Sequence, residues 1–218
     1  MISPLLPFTT NNDTLLSHKI IKNPVSSHLL DYITIQFESI IPCVGEDYFS
    51  AKKRTQSPHQ LLPSPPLTSS DSTIIPLRSF IESIVTKSNT TTGTLISTLS
   101  YAKRLKNLLS RTSKGMECTR HRIFLATIII TTKYLHDSAI KNKYWVTYAE
   151  MFTAHEINLM EKQLLQLLDY NLEINDFDTI MDYIIQLYTK EYLYHSDYIK
   201  WNHIPSLVIY KEVLEEGV

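Results

Sequence analysis

The chain has 218 residues, of which 43% are hydrophobic, and its formal net charge is -1. This length suits one domain with extensions and a sizeable core, and the near-neutral charge argues against a mainly electrostatic nucleic-acid binder. Its two cysteines, Cys43 and Cys118, show neither a C-x-x-C spacing nor a disulfide framework, so we expect the nucleus and cytoplasm rather than secretion.

The first 75 residues divide into a polar start, one helix and a linker. Residues 1–24 are polar and lack the cationic and apolar regions of a signal peptide, so we expect a flexible N-terminus. Residues 25–42 carry an amphipathic pattern that predicts a helix over 27–40, ended by Pro42. Its apolar face needs a cover, which is either the rest of the chain or a separate partner.

A Pro/Ser-rich linker is predicted over residues 43–75. It is either a solvated tether or a regulatory segment, because Ser57 and Ser64 each precede a proline and are candidate phosphorylation sites. A phosphate on either serine would add charge and three hydrogen-bond acceptors.

Two amphipathic helices follow Pro76. The first carries apolar residues at helical spacing from Leu77 to Val85, and the second carries Leu95, Leu99, Ala102, Leu105 and Leu108 on one side. The other side is cationic, and the cluster continues toward the next helix through Lys103, Arg104, Lys106, Arg111, Lys114, Arg120 and Arg122. This cluster is either a solvated face or a docking site for an acidic or phosphorylated partner, in which Arg104, Arg120 and Arg122 would bind.

The next segment, from Thr119 to His136, predicts a central buried helix. It is apolar on nearly all sides and contains no Gly or Pro, and a helix of that kind must be surrounded by other helices. Lys133 falls near its last turn, where the carbonyl end of a helix favours a cation. At 123–130, the longest mainly apolar run is too short to span a bilayer.

Three further helices are predicted after the central one. A short helix covers residues 146–151, and Thr153 with Glu156 forms a capping box that opens the next. That helix has an apolar stripe containing Glu161, a carboxylate that needs a cationic or amide partner if it is buried. Asn175 can cap a last helix within a C-terminal extension and tail, residues 173–218.

Catalytic and metal-binding patterns are weak in this sequence. With only four glycines, it has no phosphate-cradling loop, and its eight histidines show no convincing metal-ligand spacing. Cys118 and His121 could form a nucleophile and base, but no orienting group accompanies them. We therefore predict no enzyme activity, no catalytic residue, no metal and no cofactor.

Several motifs resemble the cyclin box, and most closely that of the fungal PCL-type cyclins. The resemblance covers about Lys22 to Leu172, with a single box over 76–172, and its specific motifs lie at residues 101–105, 119–126, 133–138, 141–145 and 156–172. It implies an all-α fold of about five helices around the central one, with extra N- and C-terminal helices. The segment after Leu172 is too short for a second box.

The resemblance also implies a function, because PCL-type cyclins are regulatory partners of a yeast cyclin-dependent kinase. In cyclins, the residues matching Lys133 and Glu161 grip the kinase, and matching apolar positions surround them here at Ile130, Tyr134, Leu165, Tyr170 and Leu172. The expected function is to bind a proline-directed Ser/Thr kinase as a 1:1 heterodimer, to activate it and to direct it to protein substrates. No nucleic-acid or membrane partner is expected. Alternatively, Lys133 and Glu161 only join two helices.

Some positions depart from the cyclin pattern. The first box helix begins Pro76-Leu-Arg-Ser-Phe-Ile81, which is unlike the substrate-docking patch of cell-cycle cyclins. Lys103 replaces an aspartate of many cyclins, Gly93 a proline of the PCL pattern and Tyr144 a histidine. The main alternative function is a cyclin-fold adaptor in transcription that binds no kinase.

Overall fold

Eight helices make up the described part of this computed structural model, which is residues 10–43, 74–109 and 114–196. In chain order they are α1 (Thr10–Lys22), α2 (Ser27–Glu38), α3 (Leu77–Ser88), α4 (Thr92–Leu108), α5 (Thr119–Leu135), α6 (Asn142–Ala149), α7 (Ala154–Leu167) and α8 (Phe177–Ser196). No strand occurs within those residues, although an isolated bridge joins Cys43 to Gly115. The predicted all-α fold is confirmed.

Helix α5 is the centre of the core, as its sequence predicts. Residues 124–132 are buried without interruption, and α2, α3, α4 and α7 all contact the helix. The hydroxyls of Thr127, Thr131 and Thr132 each donate to the carbonyl four residues earlier, at 2.7, 2.7 and 2.8 Å. These bonds satisfy the polar groups inside an apolar core, which is why three threonines are tolerated there.

Helix α4 is more deeply buried than a one-sided pattern predicts. Residues 94–102 are all buried, because α1, α2 and α8 cover the side of α4 that does not face α5. Ser97 donates to the Gly93 carbonyl at 2.9 Å, so this side can be buried without a lost hydrogen bond. At the other end of the helix, Leu108 is 57% exposed and not part of the core, contrary to the sequence prediction.

The prediction of a flexible N-terminus over residues 1–24 is corrected for residues 10–22, which form α1. Leu16 and Ile20, four residues apart, form an apolar face, and Ile20 is buried in the core. The next residue, Ile21, lies 3.1 Å from where a Cβ would stand on Gly93, so the glycine allows α1 to approach α4 closely. The Thr92 hydroxyl donates to the Asn23 carbonyl at 2.5 Å and fixes the end of α1. Residues 1–9 lie outside the described residues.

Helix α2 packs its apolar face on the box. Of the two alternatives predicted for that face, the rest of the chain covers it and a separate partner is not needed. Phe37 is fully buried, and its ring meets that of Phe124 edge-on with centroids 5.1 Å apart. At the surface, Arg78 of α3 pairs with Asp31 of α2 at 2.5 Å. The helix ends at Glu38, two residues before the predicted end.

Two boundaries in the second half of the fold differ from the predicted ones. Helix α6 begins at Asn142, before the predicted residues 146–151, because the fully buried Trp145 anchors its first turns in the core. Helix α8 begins at Phe177, where the Asp176 carbonyl accepts the Ile180 N–H at 3.0 Å, so Asn175 does not cap it. Residues 44–73 and 197–218, which include most of the predicted linker and tail, are not described.

The capping box of α7 is confirmed and leads to a pH-dependent stability. Glu156 accepts hydrogen bonds from the Thr153 N–H at 2.9 Å and from Arg122 at 2.7 Å. These bonds, chiefly that of the Thr153 amide, lower the Glu156 pKa from 4.5 to about 2. A carboxylate whose pKa is depressed in the folded state stabilises above its unfolded pKa, and this contribution is lost as pH falls toward the folded pKa.

We therefore expect Glu156→Gln to flatten the fall in unfolding free energy between about pH 4.5 and pH 2. Urea titrations at several pH values in this range measure it. Asp182→Asn, which neutralises an exposed carboxylate of α8, is the control and should keep the wild-type slope. An unchanged slope in Glu156→Gln would contradict the prediction.

Candidate functional site

A surface ion pair joins the end of the central helix to α7. Lys133 Nζ lies 2.5 Å from Glu161 Oε1, and the other carboxylate oxygen accepts from the Asn142 side-chain amide at 2.6 Å. Side-chain exposure is 37% for Lys133 and 16% for Glu161. The sequence predicted a cationic or an amide partner for Glu161, and Glu161 has one of each.

This arrangement leaves hydrogen-bonding capacity directed outward. A lysine ammonium has three N–H donors, and Glu161 takes one of them. The remaining donors of Lys133 are held at a defined place on the surface, because the carboxylate that orients the ammonium is itself fixed by Asn142. Such a charge is prepared to bind the carbonyl oxygens of a partner with little further loss of side-chain entropy.

Apolar side chains border the pair, but they lie at different depths. Tyr134 and Tyr170 are 47% and 63% exposed, and Leu165 and Leu172 are half-buried against the core. Ile130 is only 2% exposed, so its side chain lies in the core, one turn before Tyr134, and is not available to a partner. Of the five predicted apolar residues, the two tyrosines are exposed, Leu165 and Leu172 are partly exposed, and Ile130 is buried.

The turn that presents Tyr170 has an uncommon backbone. Asp169 and Tyr170 have φ of 51° and 54°, and two consecutive non-glycine residues in this left-handed region cost roughly 1 kcal/mol or more each. Arg104 crosses from α4 and donates to the carbonyls of Leu168 at 3.4 Å, Asn171 at 2.7 Å and Glu173 at 3.5 Å. Its guanidinium therefore holds both sides of the turn.

Tyr101 adds a second anchor from α4. Its hydroxyl donates to the Leu172 carbonyl at 2.6 Å, and the ring lies 5.8 Å from the Arg104 guanidinium. Burial, and then the neighbouring Tyr134 phenol, raise the pKa of Tyr101, so it remains a protonated donor. Residues 168–173 are therefore tied to α4.

We expect Arg104→Ala to lower the free energy of unfolding by about 1–2 kcal/mol, because the bonds from one guanidinium to three carbonyls are lost. In a chain of this size, this corresponds to a fall in Tm of about 2–8 °C, which calorimetry measures. Arg104→Lys should also lose stability, since an ammonium lacks the fork that spans the turn. The control Lys162→Ala removes an exposed cation from α7 and should change Tm little. An unchanged Tm in Arg104→Ala would show that the turn does not depend on it.

The three arginines predicted to dock a phosphate do not meet at one site. Arg104 binds carbonyls after the end of α7, and Arg122 pairs with Glu156 at 2.7 Å beside its beginning. These ends are about 20 Å apart, from the rise of a 14-residue helix. Arg120 instead donates to the Ile41 carbonyl at 3.1 Å. Each guanidinium has a partner within the chain, and the three do not form the single docking site that the sequence predicts.

Cys118 and His121 have separate partners. His121 is buried, its Nε2 lies 2.7 Å from the Ile75 carbonyl, and burial lowers its pKa, so the ring is neutral and donates there. The Cys118 sulfur instead accepts from Arg122 Nε at 3.4 Å. In the described part of the chain, we find no group of three or more His, Cys, Asp or Glu that could hold a metal ion. No helix within those residues is long and apolar enough to cross a bilayer.

Three residues near Lys133 and Glu161 in sequence or contact were not among the predicted site residues. Asn142 fixes Glu161, and its signal was the expected need of that carboxylate for an amide or cationic partner. Leu135 and Tyr144 are 43% and 49% exposed and lie two residues from Lys133 and Asn142, respectively. An exposed apolar side chain beside a core helix cannot be told from a buried one by periodicity.

Comparisons with known proteins identify the family of this chain. Residues 47–173 match the family model described as Cyclin, N-terminal domain, a range that contains α3 to α7 and both Lys133 and Glu161. PHO85 cyclin-1 of Saccharomyces cerevisiae is 35% identical over 169 residues, which are 76% of this chain and 55% of the relative. PHO85 cyclin-2 of the same yeast is 31% identical over 190 residues, 86% of this chain and 55% of the relative. PHO85 cyclin-9 is 32% identical over 160 residues, 73% of this chain and 46% of the relative.

The chain spans about half the length of these curated relatives. The predicted resemblance to the fungal PCL-type cyclins is confirmed by the family match and by all three relatives. The chain therefore belongs to the cyclin family, and residues 47–173 are its cyclin N-terminal domain.

Proposed function

We propose that this chain binds a cyclin-dependent Ser/Thr kinase as a 1:1 heterodimer and activates it. The observation that carries the proposal is the Lys133–Glu161 pair, which is oriented by Asn142, together with the exposed rings of Tyr134 and Tyr170. The names of its relatives attach them to PHO85, so a kinase of that type is the proposed partner. In this role, the chain carries no catalytic residue and no cofactor.

The proposed mechanism is a shift in the conformations of the kinase. Lys133 and Glu161 together hold the loop and the helix of the kinase that carry its movable glutamate. The apolar side of that helix packs against Tyr134, Leu165, Tyr170 and Leu172. The kinase is activated because this surface binds better when that helix is swung in and its glutamate pairs with the active-site lysine. Moving such an equilibrium from 1:99 to 99:1 takes about 5.5 kcal/mol of differential binding, which a set of charged and apolar contacts can supply.

The other proposed partners are the protein substrates of the kinase. We propose no nucleic-acid or membrane partner. We further propose that Ser57 and Ser64, each followed by proline, are phosphorylation sites that regulate the complex in the nucleus and cytoplasm. Both serines lie outside the described residues. The processes proposed for the kinase complex are cell-cycle, morphogenesis or nutrient control.

The proposal is tested by co-expressing the chain with the PHO85 kinase and purifying the complex through a tag on the chain. We expect a 1:1 complex by light scattering, and a phosphorylation rate on a Ser-Pro peptide well above that of the kinase alone. The main cell-cycle kinase serves as the comparison partner. If neither kinase bound, the proposal would fail and the transcriptional adaptor would be the better hypothesis.

A further inference from the structure

An open groove of about 310 Å³ lies between α2, α4 and α8. Its α4 wall consists of Leu99, Ala102, Lys103 and Lys106, which share one side of that helix. Tyr101 and Arg104 point from the opposite side of α4 toward the turn that presents Tyr170. The groove is therefore separate from the surface around Lys133, and both can be occupied at once.

The groove has an apolar floor and an aromatic rim. Leu99 and Ala102 are 6% and 3% exposed, and Ile180 of α8 is half-buried beside them. At the rim, the rings of Tyr32 and Tyr183 lie with centroids 5.5 Å apart. Burial, and then the nearby Tyr183, raise the pKa of Tyr32 to about 12, so its phenol stays a hydrogen-bond donor at neutral pH. One aliphatic or aromatic side chain of a partner would suit this floor.

Two ammonium groups stand on consecutive turns of α4 at the groove. Lys106 donates to the Ser39 hydroxyl at 3.0 Å, a neutral partner that leaves its charge uncompensated. Lys103 lies 3.3 Å from an Asp176 oxygen and keeps 59% side-chain exposure. Residues three apart on a helix have neighbouring side chains, so both charges reach one ligand. Among the described residues, the groove is lined by lysines and by no arginine, which suits single carboxylates better than the bidentate capture of a phosphate.

We propose that this groove docks an acidic peptide segment of a protein partner. Carboxylates of the peptide pair with Lys103 and Lys106, and an adjacent apolar side chain packs beside the paired tyrosine rings and rests on Leu99. Tyr32 donates a hydrogen bond to a further carboxylate or carbonyl of the peptide. This site goes beyond the proposed kinase binding, because it needs neither Lys133 nor Glu161.

The test is a selection of peptides on the full chain. A phage library of random 12-residue peptides is panned on the wild type, with counter-selection on the double variant Lys103→Gln/Lys106→Gln, which removes both charges and keeps polar, unbranched side chains. We expect enriched peptides to combine two or more acidic residues with a neighbouring aromatic or aliphatic one. Recovery of neutral or basic peptides only, or of none, would overturn the proposal.

The enriched peptide is then measured by fluorescence anisotropy. We expect the glutamine pair to weaken binding at least tenfold at an unchanged Tm, and Tyr183→Ala to weaken it as well. The double variant Lys141→Glu/Lys162→Glu, which alters two exposed lysines away from the groove, is the control and should bind normally. Equal affinity for wild type and glutamine pair would overturn the proposal.

Two other occupants are tested in the same system. Tighter lysine-dependent binding of a synthetic peptide of residues 197–218 would overturn the proposal in favour of the chain's own C-terminal segment. Self-association in sedimentation velocity that disappears in the glutamine pair would overturn it in favour of a second copy.

Discussion

Replacing Lys133 and Glu161 together by alanine is expected to weaken kinase binding by at least about 30-fold while the helical fold is retained. Removing charged contacts from the centre of an interface costs about 2–5 kcal/mol, and 2 kcal/mol is about 30-fold in affinity. The fold should survive because the pair is partly exposed, with 37% and 16% of its side chains accessible. Such pairs contribute little to stability, on the order of 1 kcal/mol or less. Biolayer interferometry measures the affinity, and far-ultraviolet circular dichroism checks the fold.

The chain offers a matched control for this double variant. Lys87 and Glu150 form another exposed pair between two box elements, with Nζ and Oε1 2.6 Å apart. Replacing both by alanine removes the same two charges elsewhere on the box, so kinase affinity should stay within about twofold of the wild type. Retained kinase binding in the Lys133/Glu161 variant, or an equal loss in the Lys87/Glu150 variant, would count against the assigned surface.

The second large effect is expected in the core, where Phe124→Ala should cost about 3–5 kcal/mol of unfolding free energy. The Phe124 side chain is fully buried in α5, and its ring packs edge-on against Phe37 of α2 and Phe80 of α3. Alanine would leave a cavity where three helices meet, and the rigid rings around it can close it only in part. At 2–4 °C per kcal/mol for a chain of this length, Tm should fall by roughly 6–20 °C.

Urea denaturation followed by circular dichroism measures the loss for Phe124→Ala. Leu108→Ala is the control, because this leucine is 57% exposed at the end of α4 and should cost much less than the core substitution. A cost below about 1 kcal/mol for Phe124→Ala would mean that α5 is not the centre of a single core, since surface substitutions typically cause changes of that size or less.

The sequence predicted α5 well because its pattern admits few alternatives. Its eighteen residues contain no Gly or Pro and are apolar on almost every side, which suits a buried helix. Its threonines could suggest a strand, but their hydroxyls donate hydrogen bonds to carbonyls of the same helix, so they can be buried there. Glu161 was equally informative, because a carboxylate within an apolar stripe requires a partner. Its partners, Lys133 and Asn142, come from two other helices. The sequence therefore indicated which kind of residue must pair with Glu161, and the packing of the helices determines which residues of that kind do so.

Other features depend on contacts distant in the chain, which local patterns do not encode. Helix α1 was missed because its few apolar residues stand among polar ones, and its stability comes from packing on α4 at Gly93. Arg104, Arg120 and Arg122 belong to one cationic cluster of the sequence, yet their side chains bind three different parts of the fold. Charge clustering along a chain does not show whether a guanidinium faces solvent or caps carbonyls of its own chain.

Ile130 illustrates the same limit at the proposed kinase surface. A match to a motif marks the residues that build a surface, and it does not separate those that touch a partner from those beneath. Ile130 is 2% exposed and Tyr134, one turn later, is 47% exposed, so only the tyrosine is available to the kinase.

The central claim is that Lys133 and Glu161 contact the kinase and do more than join α5 to α7. The charge swap Lys133→Glu/Glu161→Lys tests it most directly, because the swapped residues can still pair, and the Asn142 side-chain amide can turn its oxygen toward the new ammonium. We expect the unfolding free energy to stay within about 1 kcal/mol of the wild type, and kinase affinity to remain as low as in the double alanine variant. Wild-type kinase affinity in the swapped chain would contradict the claim and leave the pair a purely internal bridge.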